Sequence, residues 1–282
     1  MGVNRSIAVA LVAIAAAASS APAADAPIAS ASRFVVARQS EDGGFAETGR
    51  RPDAQLTAWA ALGLAAAGTA PEARVRALSY LRAHEAEAET PTEKALHVLA
   101  RAALDTPANG PLADLRAYRP GRAVNATIWT ILALRGAGEK APLVLVRSLL
   151  AAQTASGGWS WAKGLAPDSN DTAAAVQALR AAGIRGASID RGIAFLASHR
   201  SPSGGFALVA GRAPDTQSTA WAIQAYVAAG RSPGTAPFRF LARMRRPDGS
   251  YRYSAAYATT PVWVTAQTLP ALAGKQFPLV SR

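Results

Sequence analysis

Two kinds of helical pattern alternate along most of the chain. One is Ala-rich and nearly uncharged, as in TAWAALGLAAA (57–67) and TAAAVQAL (172–179). The other carries spaced Arg, Glu and Lys, as in EARVRALSYLRAHEAE (72–87). A helix that is apolar all round belongs in an interior, and a helix with a charged face belongs at its edge. The pattern therefore predicts an inner and an outer set of helices.

The alternation repeats. Four segments share an apolar helix end, a Gly-rich turn with an aromatic, a polar cap and a second helix stopped by Gly. They are VVARQSEDGGFAETGRRPDAQLTAWAALGLAAAG (35–68), LLAAQTASGGWSWAKGLAPDSNDTAAAVQALRAAG (149–183), FLASHRSPSGGFALVAGRAPDTQSTAWAIQAYVAAG (195–230) and FLARMRRPDGSYRYSAAYATTPVWVTAQTLPALAG (240–274). Two weaker copies fill the gap: TPTEKALHVLARAAL, opening with Thr90, and NATIWTILALRGAG, opening with Asn125. A fixed period, here about 45 residues, is the mark of a repeat architecture.

The inner helices are expected to start at Asp53, Thr90, Asn125, Asp171, Asp215 and Thr259 or Thr260. At each start a short polar side chain can accept from the first free backbone N–H groups. Thr90, Pro91 and Glu93 have the order of a capping box. Gly68, Gly183, Gly230 and Gly274 suit the left-handed position after a helix end. The outer helices fall near 32–38, 72–84, 112–118, 140–152, 188–198 and 234–244. Twelve helices in six hairpins and no strand are thus predicted. Closing them into an all-α (α/α)6 toroid spares the apolar layer the exposed ends of an open solenoid.

Composition narrows the chemistry. Arg5 followed by the short apolar run 7–18 and the small residues SSAPAAD reads as an export signal over residues 1–23, leaving 24–282 as one toroid domain. No later uncharged apolar run reaches the roughly 18 residues of a membrane span. The absence of Cys removes disulfides and zinc–thiolate sites, and His84, His97 and His199 are scattered, so no metal and no cofactor is expected. The net charge of +12 is spread along the chain. That argues against a nucleic-acid reader, which gathers charge on one face, and leaves room for peripheral contact with anionic surfaces.

LLAAQTASGGW (149–159), with Gln153 and Trp159, resembles the QW-type repeats of squalene–hopene cyclases. VVARQSEDGGF keeps Gln39 with Phe45 in place of Trp. In the other two strong copies His199 replaces Gln, and Gln is absent where Tyr251 replaces Trp. The resemblance is to the terpene cyclase and protein prenyltransferase toroids, distantly also to cobalamin-carrier α domains, and it implies the toroid fold. Class II cyclases start a buried helix with D-x-D-D-T-A, whose middle Asp protonates a polyene. This chain reads D-S-N-D-T-A from Asp168 to Ala173, with Asn170 at the donor position. An amide has no comparable proton to give.

The N-terminal segment, Asn170 and the missing metal ligands together point to an exported, non-catalytic toroid. The resemblance implies that it binds an apolar ligand, isoprenoid-like or corrinoid, or a separate partner protein. The alternative is a class II cyclase-like enzyme on a polyprenyl substrate, acting through Asp168 or Asp171. A third reading is a scaffold for envelope partners. The expected ligand wall is Trp59, Trp129, Trp221 and Trp263, with Gln177 at the matching place of the Asp171 helix and Asn170 beside it. Gln55, Gln217, Gln224 and Gln267 supply polar groups to an otherwise aromatic cavity.

Overall fold

The computed structural model describes residues 26–279, so the expected export signal lies outside the described residues. The charged helical segments become α1 (Ala26–Val36), α3 (Pro71–Ala83), α5 (Asn109–Ala117), α7 (Leu143–Ala151), α9 (Ala187–Ser198) and α11 (Ala236–Met244). The Ala-rich ones become α2 (Ala54–Ala67), α4 (Pro91–Ala102), α6 (Val124–Gly136), α8 (Ser169–Ala181), α10 (Thr216–Ala228) and α12 (Pro261–Leu272). Only isolated bridges within loops interrupt the all-α character of the described residues.

The inner helices form a closed ring. Each packs on the next, and α12 packs back on α2. At that seam a Cβ on Gly63 would lie 2.4 Å from the Ala266 carbonyl oxygen, so only glycine lets the two helices come this close. The outer helices do not pair as the expected hairpins. Each lies mainly on the inner helix before it, and α1 lies on α12. The first helix of the chain thus completes the last repeat.

One hydrogen bond recurs in the four strong repeats. The backbone N–H groups of Phe45, Trp159, Phe206 and Tyr251 donate to the hydroxyls of Thr57, Thr172, Thr219 and Thr265, each over 2.9 Å. The donors' aromatic rings are fully buried, which contributes about 1.5–3 kcal/mol apiece. In two repeats a Gln clamps the Gly turn to the next outer helix. Gln153 donates to the carbonyls of Gly157 and Ser188 over 2.8 Å, and Gln39 donates to those of Gly43 and Ala73. The last turn sits on α1 itself, because a Cβ on Gly249 would meet the Ser30 carbonyl oxygen at 2.4 Å.

Three of the expected helix starts hold. Asp53 and Asp215 accept from Leu56 and Ser218, and Thr90 and Glu93 complete their capping box. Two others are corrected, and at the sixth the start holds but the side-chain cap does not. The cap of α8 is Asp168, whose carboxylate accepts from the N–H groups of Asn170 and Asp171 at 2.8 and 2.9 Å. Asp171 is inside the helix. Asn125 is also inside its helix, α6, which starts after Ala123 with no side-chain cap. At α12, Thr260 has a left-handed backbone and makes no side-chain cap. Glu47 takes over from the opposite end of the chain, accepting from Val262 and Trp263 at 3.1 and 2.9 Å.

Candidate functional site

The recurring Thr residues set a common register for the inner helices. Two residues before them stand Gln55, Asn170, Gln217 and Trp263, and the same level carries Thr92 on α4 and Asn125 on α6. Two residues after them stand Trp59, Ala174, Trp221 and Gln267, joined at that level by Leu96 and Trp129. All twelve line one cavity of about 290 Å³. The first layer is its rim and the second its floor, at the N-terminal ends of the inner helices.

The floor is held by its own rings. Trp59, Trp129 and Trp221 meet edge to face in a triangle, with centroids 5.5, 5.8 and 5.7 Å apart. Beneath them Phe277, from the segment after α12, sits 6.0 Å from Trp59 and 5.9 Å from Trp221. Its N–H donates to the Gln177 side chain at 2.8 Å. The bore of the ring is therefore blocked, and the cavity is a blind cup.

The loops between outer and inner helices form a crown around the cup. Three of them lie over the start of the preceding inner helix. Trp161 O accepts from Asn125 at α6, Leu208 O from Ser169 at α8, and Tyr253 O from Thr216 at α10. Trp161 also lines the cup, yet it remains 58% exposed.

Among the described residues, Asp171 is the only titratable one lining the cup. It is 7% exposed and stands next to Thr172. Burial pushes its carboxyl up to about 7, the neighbouring Asp168 charge adds to the rise, and the Asn125 amide opposes it. That amide donates to Asp171 at 2.7 Å, while Asn125 accepts from Thr92. Across the cup, Gln217 and Trp221 both donate to the Gln267 side-chain oxygen.

Most of the sequence-predicted wall is here. Trp59, Trp129 and Trp221 make the floor, and Trp263 and Asn170 belong to the rim. Asp168 serves as the cap, with its charge felt by Asp171. Gln177 is corrected: it lies a turn below the floor against Phe277, and Ala174 takes the place assigned to it. Gln224 is likewise buried outside the cup. Placing the α8 cap at Asp171 shifts the register by three residues, which accounts for this displacement. Trp161 was missed, although GGWSW offers a second Trp in the same turn.

The sequence matches no family model and no curated protein. Solved structures do match. A single-residue variant of type II terpene cyclase MstE from Scytonema, in complex with geranylgeranyl dihydroxybenzoate as substrate, superposes with a TM-score of 0.67 at 17% identity, over 89% of this chain and 97% of that one. A protein from Actinoplanes gives 0.68 at 17% identity, over 89% and 99%. A glycosidase gives 0.64 at 13% identity, over 88% and 96%. The chain has the terpene cyclase toroid fold.

Chemically, the toroid offers one protonatable carboxyl over an aromatic floor. Paired-carboxylate glycoside hydrolysis needs a second acid facing the same space, and among the described residues lining the cup Asp171 is the one acid. No cluster of three or more His, Asp or Glu able to hold a metal occurs among the described residues.

Proposed function

We propose that the protein is an acid–base enzyme acting on a small, prenyl-type amphiphile held at the cup, with Asp171 as proton donor. The observation that carries this reading is the position of Asp171. Asp168 performs the capping, which leaves the Asp171 carboxyl buried at the cup with its proton kept to about pH 7. A general acid works best when its pKa lies near the working pH. Asn170, at the donor position of the cyclase motif, has no comparable proton to give, so Asp171 is the acid that faces the cup. The Trp faces of the floor favour positive charge developing above them.

The protein would be assayed with geranylgeranyl dihydroxybenzoate and related prenyl compounds. Conversion by the native chain, falling by about 10²–10⁴-fold in Asp171→Asn, supports the reading. Equal turnover by that variant, or no conversion of any compound, overturns it. A corrinoid is too large to enter the cup and would lie across its mouth.

Export belongs to the same proposal, and the mass of the mature N-terminus tests it. The +12 charge supports association with anionic surfaces. Binding to anionic vesicles that weakens with salt is the expected result.

A further inference from the structure

We propose that the ligand enters head first: a hydroxylated six-membered ring occupies the cup, and its hydrocarbon tail stays outside on the crown loops. This rests on the acid–base reading of the site and fixes which end of the substrate faces Asp171.

The rim carries the argument. Five of its six positions (Gln55, Thr92, Asn125, Asn170, Gln217) bear an amide or a hydroxyl, and none is aliphatic or charged. Thr92, Asn125 and Gln217 already bond within the wall, but the buried Asn170 side-chain oxygen has no partner and Gln55 is open to solvent. A hydrocarbon passing over these two returns no hydrogen bond, at about 1–3 kcal/mol for each group left unpaired. Ring hydroxyls both donate and accept, which is what amides require. Below the rim, the Trp floor offers apolar surface to the C–H or π face of a ring.

Size points the same way. A cup of about 290 Å³ lies at the small end of ligand pockets, which run from roughly 300 to 1,000 Å³, and so suits one substituted ring better than a folded twenty-carbon chain. The tail has a place outside. Trp161, which lines the cup, is 58% exposed, and Leu165, Val209 and Tyr257 are 48, 49 and 63% exposed on the crown loops. In this orientation the Asp171 hydroxyl faces a ring oxygen, the acceptor to which a weak buried acid is matched.

The test is a binding titration, read by Trp fluorescence, on the native protein and on Asp171→Asn, so that binding is measured apart from turnover. The ring probes are methyl glucoside, methyl galactoside and methyl N-acetylglucosaminide in one arm and dihydroxybenzoate in the other; geranylgeraniol is the tail alone. Saturable binding of a ring probe by both proteins is expected, with the responding arm separating a sugar from an aryl head. Gln55→Leu with Gln217→Leu should weaken that binding by at least about tenfold, as should Thr92→Val separately, with circular dichroism confirming that each folds. Saturation by geranylgeraniol alone, no saturation by any ring probe, or unchanged affinity in the rim variants overturns the orientation. Loss of turnover in Asp171→Asn bears only on the acid, so the two readings fail separately.

Discussion

At the scale of a residue, Asp171 has the most to explain. Its native carboxyl is protonated up to about pH 7, whereas an unfolded aspartic acid ionises near 3.8. Below pH 4 the carboxyl is neutral in both states and adds no penalty. Between about 4 and 7 only the unfolded chain loses the proton, so stability falls as pH rises, towards a penalty of roughly 4 kcal/mol above pH 7. Asp171→Asn keeps an oxygen for the Asn125 amide and removes the titration. Urea unfolding should therefore show the variant gaining on the native protein from pH 4 to 7.5; parallel pH curves would contradict the buried acid. The sequence carried this residue but not its place. All four side chains of D-S-N-D are able to cap, and only the backbone decides that the first one does. The three-residue error also misplaced Gln177, whereas Trp59, Trp129 and Trp221 share one level of the cup.

At the scale of an element, the repeats were legible because their signals are local. A Gly-rich turn, an aromatic, a cap and an Ala-rich helix lie within about 35 residues. What could not be read is what each element touches. Glu47 looks like one acid in a polar loop, yet it caps α12 from 215 positions away. Glu47→Ala should cost about 1 kcal/mol and speed amide exchange at Val262 and Trp263, leaving the start of α8 unchanged. Gly157 shows the same divide. The turn is evident in the sequence, but its φ of +91° and the Arg191 carbonyl oxygen 2.6 Å from a would-be Cβ are not. Gly157→Ala has both strain and a clash with backbone, whereas Gly183→Ala, at φ +87°, meets only open space. Thermal unfolding should find Gly183→Ala destabilised by about 1–2 kcal/mol and Gly157→Ala by clearly more.

At the scale of the whole molecule, closure is the property that matters. Open repeat arrays gain stability repeat by repeat and can fray from an end. Here α1 sits on α12, the Gly249 turn sits on α1, Glu47 caps α12, and Phe277 fills the bore beneath the Trp floor. Both ends of the described chain are thus built into the ring. Phe277 joins closure to the site, since the same ring that plugs the bore supports the wall of the cup. Phe277→Ala removes a side chain only 1% exposed, and a deletion of that kind costs about 3–5 kcal/mol. Its particular consequence is that the floor loses its backing. The variant should keep its helical circular dichroism, while its Trp emission shifts to the red and becomes more open to quenching by acrylamide. Ligand affinity should fall with that shift, because a floor wet from below no longer offers a dry aromatic face. Emission and quenching identical to the native protein would show that the Trp triangle stands without the plug.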